Sequence, residues 1–243
     1  MKSISVLRLA AILLCCMYLL GFASLQAQVN KWVNYTPNLT TVLKNPAMGW
    51  MMYEEGWSFQ GTRHNKSNIY TPEVFWEQME ECKAADYANI LYIRMLWKDL
   101  EPEEGKYAWI YNEQYKWYIQ KAKDKGLKLA FRVFFHGVDG VPSYVYEAGA
   151  TESPIDDEGK TQPYYDNPVF LEKLDKFVEA FAKEYDNPDE VDYIDAYGLG
   201  RWGEGHGLAL EKKENLETVI RQVTGSYARH FKKSAYSDES FAE

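Results

Sequence analysis

Between Gly200 and His206 the chain places Arg201, Trp202, Glu204 and His206 among glycines. A carboxyl group can donate or accept a proton, guanidinium and imidazole groups can hydrogen-bond hydroxyls, and an indole can stack on an apolar ring face. Together these groups suit gripping a sugar ring and protonating an oxygen. A second set lies upstream, where Arg94 and Arg132 fall within apolar runs and His136 follows the latter. Side chains alternate along a strand, so Ile90, Tyr92 and Arg94 share one face, as do Ala130, Arg132, Phe134 and His136. An arginine in a buried strand is costly unless it meets a carboxylate or lines a wet cavity. Arg94 and Arg132 are therefore expected either to line a site at the strand ends or to form internal salt bridges. Glu54 and Glu55, after the first apolar run, are either substrate contacts or solvated loop charges.

The elements that must position these groups follow a repeating pattern. Asn45 to Tyr53 reads as a strand ending at Glu54-Glu55. Thr71-Pro72 then caps a helix, because Thr accepts free amides and Pro fits the first turn. Val74, Phe75, Met79, Cys82 and Ala85 give that helix a buried face. A second strand is expected over 89–95 and a second helix over 111–125, with Tyr111, Tyr115, Tyr118, Ile119 and Ala122 as its core stripe. Gly126 stops that helix before a third strand, 127–135. Asn167-Pro168 opens a third helix carrying Phe170, Leu174, Phe177 and Phe181, and 193–199 forms a fourth strand. Leu216, Val219, Ile220, Val223 and Tyr227 mark a fourth helix. Strand and helix thus alternate, which implies parallel strands in an open doubly wound sheet or a barrel.

No glycine-rich phosphate loop follows a strand, and strand-to-helix loops are longer than helix-to-strand loops. Both features favour a (β/α)8 TIM barrel, whose functional loops leave the C-terminal strand ends. A full barrel needs about 250 residues, and only about four βα units are expected here. Lys232 to Glu243 is polar and is expected to contain no fifth strand. The chain accordingly reads as a partial barrel, the N-terminal half, with truncation expected. Its unpaired sheet edges would favour self-association.

A formal charge of −9 argues against a nucleic-acid partner, which calls for a basic stripe. Lys2 and Arg8, the apolar run from Leu9 to Phe22 and small-residue cleavage after Ala27 read as a signal peptide over 1–27, leaving 28–243 as the mature domain. The apolar run is short of the roughly 20 residues that span a bilayer, so no stable membrane span is expected after cleavage. Export to the periplasm or the extracellular space follows, with lipid attachment at Cys15 or Cys16 as the alternative. Cys82 then remains as the lone cysteine, expected as a small buried hydrophobe.

Three stretches together resemble a known group. Arg94-Met-Leu-Trp97-Lys-Asp-Leu-Glu101-Pro102, with Gly105 and Tyr107 following, is similar to the second-strand region of clan-A (β/α)8 retaining glycoside hydrolases, notably β-galactosidases. Pro142-Ser-Tyr144 resembles the segment after their third strand. Gly200-Arg-Trp-Gly-Glu204-Gly-His206 falls where these enzymes hold the general acid/base glutamate. Gly203 stands where that clan carries Asn, and a Trp-Gly-Glu-x-His motif also occurs in barrel proteins regarded as glycosidases.

The resemblance implies Glu204 as general acid/base, with burial beside Trp202 favouring the neutral acid, and an oligo- or polysaccharide as substrate. Arg94, Trp202, His206, His136 and Arg132 would be its binding groups, with no cofactor and no metal. The clan's nucleophile ends a seventh strand, beyond the units found here, so the chain is expected to be inactive alone. A non-catalytic saccharide-binding protein is one alternative. A metal-dependent barrel hydrolase using His136, Glu204 and His206 is another.

Overall fold

A computed structural model describes residues 49–55, 71–136, 140–155, 159 and 161–237. All of them lie in one compact unit, Val42–Glu243. The expected signal peptide, Cys15, Cys16 and the first residues of the expected first strand lie outside the described residues.

The strands are β1 (Trp50–Glu55), β2 (Ala88–Leu96), β3 (Lys128–Phe134), β4 (Val191–Asp195) and β5 (Ala235–Ser237). The long helices are α1 (Pro72–Glu81), α2 (Glu113–Asp124), α3 (Pro168–Tyr185) and α4 (Leu216–His230). All strand pairings are parallel, and the spatial order is β1-β2-β3-β4-β5. Right-handed crossovers between strands laid down in sequence put every helix on the same face. That is a singly wound, partial-barrel arrangement rather than a doubly wound sheet, which must reverse its order.

Burial follows the same asymmetry. Leu91, Ile93, Met95, Leu129, Phe131 and Val133 point towards the helices and are almost wholly buried. There they meet an aromatic core: Phe131 packs against Phe181 and Tyr185, and Trp97 against Phe135, Phe170 and Phe177. The opposite face carries the polar residues. Strand register aligns Tyr53, Tyr92, Ala130 and Tyr193 in one row. Arg94, Arg132 and Asp195 form the next row towards the C-terminal ends, with the backbones of Glu55 and Ser237 in register at either side.

The helix caps act as their residue types dictate. Thr71 accepts the Val74 amide at 3.4 Å, and Asn167 Oδ1 accepts those of Val169 and Phe170 at 2.9 and 3.3 Å. Gly126, at φ 71°, ends α2 by donating to the Lys123 carbonyl, while Leu127 donates to that of Ala122.

Three expectations fail. A fifth strand exists: the Asp186 carboxylate accepts the amides of Lys232, Lys233 and Ser234 and leads the chain into β5, which needs only three residues. Cys82 is exposed, because α1 ends at Glu81 and Lys83 turns left-handed at φ 54°, so Trp76 takes the buried position instead. Tyr111 is 67% exposed, because Asn112 caps α2 and leaves Tyr111 in a separate short turn.

Candidate functional site

The polar row on the open face converges on one turn. After β4 the chain runs through Ala196–Leu199 and reverses between Gly200 and Gly207, at the C-terminal end of the sheet. Glycine is required where that turn meets the sheet. At Gly198 (φ 65°) an added Cβ would lie 2.1 Å from the Val133 carbonyl oxygen, and at Gly203 (φ 71°) it would lie 2.8 Å from Phe134 Cβ. The turn closes through Arg201 N–H to the His206 carbonyl at 2.8 Å and Gly205 N–H to that of Leu199 at 3.0 Å.

This closure sets Glu204 over the two sheet arginines. Its Oε1 lies 3.6 Å from Arg94 Nη2 and 3.8 Å from Arg132 Nη1. The Glu204 side chain is 46% exposed while both arginine side chains are nearly covered. The burial expected around Glu204 is therefore absent, because the turn carries it clear of the sheet. Ion pairs that open to water contribute little to stability, which leaves this carboxylate available to a ligand.

Arg132 has a second and closer partner. Its Nε and Nη2 both engage Asp195 Oδ2, which also accepts the Tyr92 hydroxyl at 3.3 Å. Asp195 is 4% exposed and is the structural counterion of the row. Burial, with the nearby Asp195 charge adding to it, pushes the Tyr92 hydroxyl well above the usual phenol range. The salt-bridge expectation thus holds for Arg132, and its guanidinium still borders the open face beside Glu204.

Arg94 donates to the Tyr53 hydroxyl at 2.5 Å and to the Trp202 carbonyl at 2.6 Å. Trp202 is half-buried, with its ring 5.7 Å from that of His136 in an edge-on arrangement. His136 is buried at 3% exposure, a packing position rather than a cleft wall. His206 is exposed, two positions beyond Glu204, and its carbonyl closes the turn. The turn and the row thus bring Arg94, Arg132, Trp202 and Glu204 together, with His136 beneath and His206 at the rim. Glu54 and Glu55 end β1, and Glu55 lies in register with Arg94.

Sequence reasoning missed Asp195 and Tyr53, and placed Tyr92 on the face of Arg94 without giving it a role. An acid closing an apolar strand, in a chain with arginines at matching positions of other strands, was the available signal for Asp195. It also missed what Glu101 does. That carboxylate is 2% exposed and accepts the Trp97 indole at 2.9 Å, the Gly105 amide at 2.9 Å and the Tyr144 hydroxyl at 2.6 Å. Burial, reinforced by Glu101, raises the Tyr144 hydroxyl far above its usual value. The Trp97–Glu101–Gly105 and Pro142–Tyr144 motifs are thus two halves of one structural knot.

A cavity of about 620 Å³ lies between the loops after β2 and β3, lined by Lys98, Pro102, Pro142 and Tyr146 among others, but by none of the Arg94, Arg132 and Glu204 group. The carboxylate and its arginines stand on the open sheet face instead. Among the described residues no three His, Cys, Asp or Glu side chains gather as metal ligands. No described helix is long and apolar enough to cross a membrane.

No protein-family model matches this chain, and no curated protein matches it. The solved structures similar to it include glycoside hydrolases of the clan-A type that the motifs resemble. Endo-glycoceramidase II from Rhodococcus sp. aligns at 16% identity over 70% of this chain and 43% of its own, with a TM-score of 0.45. A GH1 β-glucosidase from Exiguobacterium antarcticum B7 aligns at 14% identity over 65% and 33%, with a TM-score of 0.44. A β-galactosidase from Rahnella sp. R3 aligns at 18% identity over 54% and 21%, with a TM-score of 0.38. The chain spans less than half the length of each. Likeness at this level decides nothing about chemistry, and strand order and register define the architecture independently.

Proposed function

We propose that this chain carries the acid/base side of a glycoside-hydrolase site acting on an oligo- or polysaccharide, with Glu204 as the proton donor and acceptor. The supporting observation is a half-exposed carboxylate at the C-terminal end of the fourth parallel strand, bordered by two arginines of the open sheet face. Glu204 would protonate the bridging oxygen as the bond to the anomeric carbon breaks, so that the leaving sugar departs as an alcohol. In a retaining cycle a second carboxylate attacks that carbon, and Glu204 then takes a proton from the incoming water. Trp202 and His206 would contact the sugar at the rim, while Arg94 and Arg132 hold the floor.

A second reading, saccharide binding without turnover, is favoured by Asp195. Asp195 is buried against Arg132 and Tyr92 and is not placed to act as a nucleophile. The described residues alone are therefore expected to bind sugar without hydrolysing it.

A nitrophenyl-glycoside panel, run beside calorimetric titration with oligosaccharides, separates the readings. Turnover abolished by Glu204→Gln supports the hydrolase. Binding without turnover, lost in Trp202→Ala, supports the binding protein. Turnover indifferent to Glu204→Gln sinks the assignment of that residue, and neither binding nor turnover sinks both readings. Export with cleavage after Ala27 belongs to the same proposal, and N-terminal sequencing of protein recovered from a secreting host checks it.

A further inference from the structure

The short contacts of Arg94 point away from a ligand. Arg94 lies in β2, between β1 and β3, with its guanidinium 5.4 Å from the Phe134 ring centroid and 6.0 Å from that of Tyr53. Nη1 is engaged by the Tyr53 hydroxyl at 2.5 Å and Nη2 by the Trp202 carbonyl at 2.6 Å. Glu204, at 3.6 Å, is beyond ordinary hydrogen-bond length. The strong, charge-assisted bond thus goes to a backbone oxygen of the turn rather than to the carboxylate.

That carbonyl belongs to the one residue of the turn whose backbone resists its own conformation. Positive φ angles recur at Gly198, Gly200, Gly203, Gly205 and Gly207, where glycine adopts them freely, and at Trp202, with φ 58° and ψ 10°. A residue with a Cβ is disfavoured there. The internal bonds of the turn include Gly203 N–H to Gly200, Glu204 N–H to Arg201, Gly205 N–H to Leu199 and Arg201 N–H to His206, and Arg94 adds its own bond to the Trp202 carbonyl. Gly203 is seated against Phe134, so the turn has little room to slide across the sheet. Rotation about the Trp202 N–Cα bond would relieve this strain, carrying Trp202 to a right-handed conformation, swinging its carbonyl away from Arg94 and re-aiming Glu204.

We infer that Arg94 is a positioning residue, a latch that holds the Trp202 carbonyl and thereby keeps the turn in the form that presents Glu204 to the open face. The latch stands on the geometry alone; its bearing on catalysis rests on the glycosidase reading. Tyr53, which shares the guanidinium, would fix the other end of the latch to β1.

Amide hydrogen exchange of the full chain tests the latch without any ligand. Arg94→Met should speed exchange at the Glu204 and Gly205 amides by roughly tenfold or more, as loss of a hydrogen bond to a charged group implies, while amides of Leu91 and Phe131 stay protected. Trp202→Gly removes the strain, because glycine accepts that backbone conformation. In its background Arg94→Met should change exchange in the turn by less than about twofold. Unchanged protection of the turn in Arg94→Met would overturn the inference. So would an equal loss across the sheet, which would make Arg94 a general fold residue, or an undiminished effect in the Trp202→Gly background. Absence of saccharide binding by the unaltered chain would defeat the glycosidase reading and leave the exchange result standing.

Discussion

Glu101 and Glu204 carry the same side chain in opposite circumstances, and their substitution should separate stability from function. Glu101 is 2% exposed, with Oε2 accepting the Trp97 indole and the Tyr144 hydroxyl while Oε1 accepts the Gly105 amide. Glu101→Ala strands all three donors. A buried donor left without a partner costs about 1–3 kcal/mol. The Trp97 indole, with no exposure at all, cannot turn to water, whereas the partly buried Gly105 amide can recover some hydration. The sum is about 3–5 kcal/mol, a large part of the roughly 5–15 kcal/mol that holds an ordinary domain together.

Glu204→Gln removes only two long contacts from a half-exposed carboxylate and should cost less than about 1 kcal/mol. Urea unfolding followed by tryptophan fluorescence measures both variants, with Trp97 as a reporter inside the affected knot. A Glu101→Ala protein within about 1 kcal/mol of the unaltered chain would refute the reasoning. A Glu204→Gln protein as damaged as Glu101→Ala would refute it equally.

Gly198→Ala should destabilise by more than about 2 kcal/mol, because it adds a clash with the Val133 carbonyl to an unfavourable φ. Gly126→Ala, at a similar φ with open space around it, should cost only about 1 kcal/mol, and thermal melts of the pair compare clash with strain. Acid should loosen the carboxylate-bound loops. Partial burial works to raise Asp186 and Asp166, but amides of Lys232, Ser234 and Lys233 in one case, and of Glu211 and Lys212 with the Asn215 side chain in the other, hold both below the ordinary 3.8. A carboxyl lowered on folding contributes stability above its unfolded value and loses it as pH falls through the folded one. Melting temperature should therefore drop below about pH 4, and less steeply in Asp186→Asn. An identical profile in that variant would be the contrary result.

The repeating strands and helices were legible because period and punctuation agree. Thr71-Pro72, Asn167-Pro168 and Gly126 are physical start and stop signals, and each acts at the place its chemistry demands. The site was legible in outline, since Arg94, Arg132, Trp202 and Glu204 do meet at the strand ends. Sequence is weakest where tertiary contact decides. β5 is too short to show a period and depends on a carboxylate nearly fifty residues upstream. Nothing local distinguishes the buried Glu101 from its exposed neighbours Glu103 and Glu104, because only the arrival of Trp97 and Tyr144 makes that difference. Cys82 and Tyr111 fit a helical stripe on paper, but a left-handed Lys83 and a capping Asn112 cut the helices short of them.

The strict β1-to-β5 order also bears on how the chain acquires its structure. Every strand pairs with the one made just before it, so no strand waits for a partner beyond its neighbour in sequence, and each loop closure spans one long helix with its flanking short turns. Folding rate falls as contacts become more remote in sequence, and this order confines every strand pairing to neighbours in sequence. A chain leaving the ribosome at roughly 5–20 residues per second can add each strand to an edge already formed. The Asp186 carboxylate, synthesised ahead of Lys232–Ser234, is then in place to receive their amides as β5 emerges.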